Sequence, residues 1–266
     1  NITCESCESP TVSLTSDMNI CSDVTTPVTL TANVTLTSGS SSVARYVWSK
    51  STDGTNWTEL VTNSVTTLTN TYEINPLPTE TTYYKVMVVN GDKHEVCSAE
   101  ETMTLTIVEK PVVTLGVVNN DELNCTLTQV TITANNVAGA TYVWSAGATG
   151  AGSSATVTAN NVYTVSVSQI AGCVGTASVS VSEDVNPPLL TLSPASPIIN
   201  CSTLSTSVKL TAEAVDVTYA WSGDATTSSI RTVTSGGAYS VTVTSVGNGC
   251  TTSASVSVTE NKEQEE

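Results

Sequence analysis

The feature that most constrains the fold is an internal repeat. Residues 111–187 and 188–266 align at a nearly fixed offset of 77. Pro111 to Leu115 (PVVTL) matches Pro188 to Leu192 (PLLTL), and Cys125 matches Cys201. Val130 to Ala134 (VTITA) matches Val208 to Ala212 (VKLTA), and Thr141 to Ser145 (TYVWS) matches Thr218 to Ser222 (TYAWS). Tyr163 to Ser168 matches Tyr239 to Thr244, and Cys173 matches Cys250. Residues 1–110 carry the same order in stretched form: Cys21, Val28 to Ala32, Tyr46 to Ser49, Tyr84 to Val89, then Cys97. Recurrence at a fixed period implies a chain of similar small units, each one supersecondary assembly. The expected boundaries are 1–110, 111–187 and 188–266.

Every matched segment alternates with period two. Val28, Leu30 and Ala32 share one face, and Thr29 and Thr31 share the other. One apolar face and one Ser/Thr face predict antiparallel strands with one solvated side. Val and Thr also favour a pleated surface over a helix. Six to seven short strands per unit fit a two-sheet sandwich. The first unit is longer mainly after its Trp, where Asp53-Gly54 lies between two extended runs. That dipeptide tolerates positive φ and predicts an added hairpin strand. The linkers, Glu109-Lys110-Pro111 and Asp184 to Pro188, are short and Pro-limited. The reading is therefore all-β, three tandem Ig-like antiparallel β-sandwich domains in an elongated rod of about 100 Å, from strands of about seven to nine residues at ~3.3 Å each plus loops.

Charge and composition remove several functions. The net charge of −16 arises from 8 Lys+Arg against 24 Asp+Glu, with no basic cluster, which argues against nucleic-acid binding. No apolar run approaches the ~18 residues of a membrane-spanning helix. A single His, His94, supplies neither a multi-His metal site nor a catalytic triad, so no enzyme activity, cofactor or metal is expected. Phe is absent, so each small core must be built around one Trp, Tyr and aliphatic layers. The eight Cys point to an oxidising, extracellular setting. The start at Asn1 fits a removed signal peptide or a cut from a longer chain.

Six of the Cys fall into one pair per repeat, which predicts Cys21–Cys97, Cys125–Cys173 and Cys201–Cys250. A bridge closing about 50 residues contributes about 3–4 kcal/mol to a small core. Cys4 and Cys7 are left over at the start; they either close a local bridge or cross-link subunits.

Trp48, Trp144 and Trp221 occupy equivalent positions and read as core. Trp57 has no counterpart in the other repeats. It either covers the edge of the enlarged first unit or offers a stacking surface to a ligand such as a sugar. Asp121, Glu122, Glu183 and Asp184 flank the junctions and are the only Ca²⁺ candidates, against the alternative of solvated acidic surface.

The series Leu123-Asn124-Cys125 or Ile199-Asn200-Cys201, then VTLTA, Tyr-x-Trp-Ser, Tyr-x-Val-x-Val and Gly-Cys, resembles the Ig-like/PKD-like repeats of large bacterial surface proteins. Adhesins and gliding-associated proteins of Bacteroidetes carry many such modules. The resemblance departs from the PKD pattern after the Trp, where Ser145-Ala146-Gly147 and Ser222-Gly223-Asp224 replace Gly-Asp-Gly. It implies a secreted or surface-attached structural protein and brings no catalytic residues. The expected function is a non-catalytic extracellular stalk or filament subunit, meeting copies of itself or neighbouring domains end to end. The alternative is a glycan- or protein-binding surface module with its site on the first domain.

Overall fold

The computed structural model describes residues 10–36, 43, 45–90, 97–118, 122–200 and 207–261. Among these residues every regular element is a strand, and no helix occurs. The strands form six sheets around three apolar clusters.

The described residues between 10 and 109 form eight strands: β1 (Thr11–Leu14), β2 (Met18–Cys21), β3 (Val28–Thr35), β4 (Arg45–Ser51), β5 (Thr58–Asn63), β6 (Thr69–Ile74), β7 (Thr82–Asn90) and β8 (Cys97–Val108). They make a three-stranded sheet, β1-β3-β6, and a five-stranded sheet, β2-β8-β7-β4-β5. Period-two alternation sends Leu30, Ala32 and Val34 of β3 inward against Val86, Val88 and Leu105. Tyr46 and Trp48 of β4 are both fully buried. The indole N–H of Trp48 donates to Asn70 Oδ1 at 2.8 Å, and its ring stacks on Tyr72 at 5.7 Å. Tyr46 donates its hydroxyl to the Thr67 carbonyl at 2.8 Å. Burial, with a smaller contribution from Tyr72, pushes the Tyr84 phenol up to about 12. The expected extra hairpin is β4–β5, with Gly54 at φ 75° in its turn.

Residues 115–184 carry β9 (Leu115–Val118), β10 (Glu122–Asn124), β11 (Val130–Ala134), β12 (Thr141–Trp144), β13 (Ala148–Ala151), β14 (Ser154–Val157), β15 (Asn161–Ser168) and β16 (Val174–Asp184). The sheets are β13-β14-β11-β9 and β10-β16-β15-β12. Leu123, Ile132, Val157 and Tyr163 form the centre of their cluster, and Trp144 is only partly buried against it. Residues 191–261 carry β17 (Thr191–Ser193), β18 (Ile198–Asn200), β19 (Val208–Glu213), β20 (Val217–Trp221), β21 (Ile230–Val233), β22 (Gly237–Ser245) and β23 (Thr251–Asn261). Their sheets are β17-β19-β21 and β18-β23-β22-β20, around Leu210, Trp221, Val241 and Val243. By packing, the chain divides into two compact units. One comprises Asn1–Val113, Asn136–Tyr142 and Ser166–Thr176, and the other Thr114–Asn135, Val143–Val165 and Ala177–Glu266.

Two expectations change. Pairing is not purely antiparallel: β2 runs parallel to β8, β10 to β16, and β18 to β23. That parallel strand also overturns the within-repeat disulfides. It places Cys21 beside Val108, at the far end of β8 from Cys97. Eleven strand steps separate those ends, about 36 Å, whereas a disulfide needs Cα atoms within about 7 Å. Asn124 likewise pairs with Asp184, at the opposite end of β16 from Cys173. The bonds observed are Cys21–Cys173 and Cys125–Cys250. Cys21–Cys97, Cys125–Cys173 and Cys201–Cys250 are therefore replaced; Cys97 is itself disulfide-bonded. Cys4, Cys7 and Cys201 lie outside the described residues, as do His94 and Asp121.

Candidate functional site

The strongest local constructions are two disulfides whose ends both lie among the described residues, Cys21–Cys173 and Cys125–Cys250, and the turns that hold them. Each joins the first Cys of one repeat to the second Cys of the next. The first lies within one compact unit and the second within the other.

At the first bridge, Cys21 closes β2 with its Cα 5.0 Å from that of Cys173. The chain beyond it is pinned to the end of β8: Ser22 N–H donates to the Val108 carbonyl at 2.9 Å, and Lys110 N–H to Ser22 Oγ at 3.1 Å. Lys110 Nζ also reaches Asp23 Oδ2 at 2.8 Å. That bond holds the Asp23 carboxyl below its ordinary value. Cys173 sits in a tight turn, its N–H bonded to the Ile170 carbonyl at 3.2 Å, after Gly172 at φ 82°. A Cβ on Gly175 would collide with the Pro111 carbonyl oxygen, so only glycine lets β16 begin there. Both sulfur-bearing residues are buried, Cys21 at 4% exposure and Cys173 at 0%.

At the second bridge, Cys125 lies 5.0 Å from Cys250, Cα to Cα. Asn124 Oδ1 accepts from Thr126 N–H at 3.0 Å and Leu127 N–H at 2.8 Å, shaping the turn that follows β10. Asn248 organises the other side. It is 93% buried, its carbonyl accepts from Cys125 N–H at 3.1 Å, and its Oδ1 accepts from Cys250 N–H at 3.0 Å. Its Nδ2 donates to the Asn186 carbonyl at 2.9 Å. Gly249 adopts φ 69°, and a Cβ there would collide with Thr126 Cγ2. Cys250 is buried, whereas Cys125 is exposed. Sequence reading missed Asn248 and Gly175; the available signal was Gly-Cys at 172–173 and 249–250, which marked turns without naming their partners.

Trp57, immediately before β5, is half-buried. Lys85 Nζ lies 4.7 Å from its ring centroid, and the same ammonium pairs with Glu100 at 3.2 Å. One ring face is thus already occupied by a cation. The adjacent turn is organised by Asp53, which accepts from Thr55 N–H at 2.8 Å and Asn56 N–H at 2.7 Å.

The Ca²⁺ candidates are only partly assembled. Parallel pairing sets Glu122 opposite Ser182 and Asn124 opposite Asp184. Alternation puts Glu183 on the other face from Glu122 and Asp184. Asp184 Oδ1 already accepts from Asn186 N–H at 3.2 Å and Asn186 Nδ2 at 2.9 Å. Among the described residues no three His, Cys, Asp or Glu side chains converge as a metal site. No helix among them is long and apolar enough to cross a membrane.

Residues 10–109 match the family described as Domain of unknown function (DUF8696). The match ends at Glu109, the first residue of the linker to Pro111, and takes in β1 to β8. No curated protein matches the chain.

Proposed function

We propose that the chain is a non-catalytic extracellular structural protein, a cell-surface stalk or filament subunit built of three tandem Ig-like sandwiches over 1–110, 111–187 and 188–266. The observation that supports this reading most is the disulfide pattern. Cys21–Cys173 and Cys125–Cys250 each join a Cys of one repeat to a Cys of the next, which links successive repeats covalently. A lone folded domain gains more from an internal bridge; a bridge between repeats serves a chain whose repeats must stay in fixed order. Disulfides also persist in oxidising compartments, in keeping with an extracellular site of action. The Ser/Thr faces of the strands and the dispersed negative charge keep such a protein soluble without a dominant charged pole.

Negative-stain microscopy of native material tests the proposal. Repeating fibres support a filament subunit, and isolated rods support a stalk. Compact particles under oxidising conditions would sink both. Half-exposed Trp57 favours a second reading, in which the first sandwich binds glycan or protein. A glycan array with Trp57→Ala as control checks it; no binding, or binding unchanged by the substitution, removes it.

A further inference from the structure

The turns that carry Cys173 and Cys250 share a backbone shape but not a chemistry. Ala171-Gly172-Cys173 aligns with Asn248-Gly249-Cys250, and the two glycines adopt φ 82° and φ 69°. The shape therefore does not require Asn. Asn-Gly is the dipeptide in which a side-chain amide is most easily lost, because glycine has no side chain to crowd its own backbone nitrogen. The Gly249 nitrogen would give up its proton and attack Asn248 Cγ, Nδ2 would leave as ammonia, and a cyclic imide would close. Water then opens the imide to aspartate, or to the isomer in which the chain continues through the side-chain carbonyl. Neither an oxidant nor a metal takes part.

The closed turn opposes every step. Gly249 N–H is donated to the Ser245 carbonyl at 3.0 Å. Asn248 Oδ1 is held by Cys250 N–H at 3.0 Å, and Nδ2 by the Asn186 carbonyl at 2.9 Å. The same side chain also bonds the Asp184 carboxyl. Asn248 is 7% exposed, and Thr126 lies against Gly249 where a side chain would stand. Attack requires the amide to leave all these partners and fold over the Gly249 nitrogen. The bridge to Cys125 begins one residue further on and keeps the turn shut. We infer that Asn248-Gly249 is a deamidation site kept silent by the closed turn and released when Cys125–Cys250 is reduced. The product cannot restore the turn. A carboxylate at 248 has no proton to donate to the Asn186 carbonyl, and it sets a second negative charge against Asp184 in a buried place. Prolonged reduction thereby becomes permanent at this bridge, whereas Cys21–Cys173, with Ala171 in the aligned position, stays reversible. The chemistry belongs to this turn and holds whether or not the protein is a stalk, so its failure and the failure of the structural reading are separable.

Peptide mapping by mass spectrometry of the full chain, held in mildly alkaline buffer, tests it. With the bridges closed Asn248 should keep its amide, while the urea-denatured chain loses it. Reaction through an opened turn follows the population of that opening, so Cys125→Ser/Cys250→Ser should raise the rate at Asn248 at least about tenfold. Cys21→Ser/Cys173→Ser should leave it close to that of the unaltered chain. Equal rates with the Cys125–Cys250 bridge open and closed would overturn the inference. So would equal rates in the two paired variants, because loss of either bridge would then act by general unfolding. The unaltered chain gives a second readout that needs no variant. After brief reduction and reoxidation both bridges should return, as differential alkylation reads. After long reduction Cys21–Cys173 should return, and Cys125–Cys250 only in the fraction that still carries the amide. Asn248→Asp should leave Cys125 and Cys250 as thiols from the start. Full return of Cys125–Cys250 in that variant would overturn the one-way step.

Discussion

Residues 10–109 and 115–184 place the same Tyr-x-Trp-Ser motif in different surroundings. In the first region Trp48 is fully buried, stacked on Tyr72 and bonded to Asn70 on β6. In the second, Trp144 is half-buried, and its indole donates to the Gly152 carbonyl at 3.0 Å across a small-residue hairpin, β13–β14. A Cβ on Gly150 would collide with the Ser154 carbonyl, so that hairpin is kept thin. One motif therefore carries unequal weight, and what lies opposite it decides which. The first region buries Tyr46, Trp48 and Tyr84 in its core; the second buries one large aromatic, Tyr163, among aliphatic residues, and carries a bridge near each of its ends.

The largest test of that contrast is removal of the bridges. Loops of 152 and 125 residues correspond to about 5 kcal/mol each in the chain-entropy limit. If the second core leans on them, reduction should expose amides of β11 and β15 before those of β4 and β7. Hydrogen exchange followed by mass spectrometry reads this directly. Earlier exchange in β4 and β7 would break the comparison. Exposure sets a further order: Cys125 is accessible while Cys21 and Cys173 are buried, so mild reductant should open Cys125–Cys250 first. Differential alkylation identifies which pair opens.

Next come the tryptophans. Trp48→Ala deletes a fully packed indole and should cost about 3–5 kcal/mol. Trp144→Ala removes a ring already half in water and should cost about half of that. Urea denaturation of the two variants gives the ratio. Equal losses would show that the thin hairpin seals the second indole better than its exposure suggests.

Much of this was legible in the sequence, and particular residues show why the rest was not. The alternation in VTLTA and VTITA set the inward faces, and Leu30, Ala32, Ile132 and Ala134 are where that pattern puts them. Asp53-Gly54 marked the β4–β5 hairpin because positive φ leaves a compositional trace. Strand direction leaves none. Met18 to Cys21, Glu122 to Asn124 and Ile198 to Asn200 read equally well as parallel or antiparallel, and only the parallel choice carries Cys21 and Cys125 to the far ends of β8 and β16. The cysteines were thus counted correctly and joined wrongly. Asn248 and Gly175 escaped notice because their roles are set by residues 60 or more positions away.

A finer test concerns the partners of the two indoles. Asn70 Oδ1 accepts from both Trp48 Nε1 and Asn63 Nδ2, at 2.8 and 3.0 Å. Asn70→Ala strands a fully buried indole N–H and should cost about 1–2 kcal/mol. The Trp144 indole donates to a backbone carbonyl, so no side-chain substitution at its acceptor reproduces that loss. A neutral Asn70→Ala in urea would mean that the first region draws its advantage from ring packing alone.

The smallest effect is electrostatic, and it again separates the two regions. The backbone N–H and side-chain amide of Asn56, then Thr55 N–H and Ser51, hold the Asp53 carboxyl far below the usual carboxylate range. Asp184 is depressed as well, by Asn186 backbone and side-chain donors and then by Asn248. A carboxyl whose folded pKa lies below its unfolded value, about 3.9, stabilises fully above that value and loses the contribution as pH falls through the folded pKa. Stability should therefore be flat above about pH 5 and decline below about pH 4. The larger depression belongs to Asp53, so acid should release the turn at 51–57 only after the bonds of Asp184 at the end of β16 have gone. Carboxyl-carbon NMR titration resolves the two groups. An Asp53 midpoint near 3.9 would mean that its four donors bind the protonated acid equally well, and the first region would then hold no electrostatic advantage over the second.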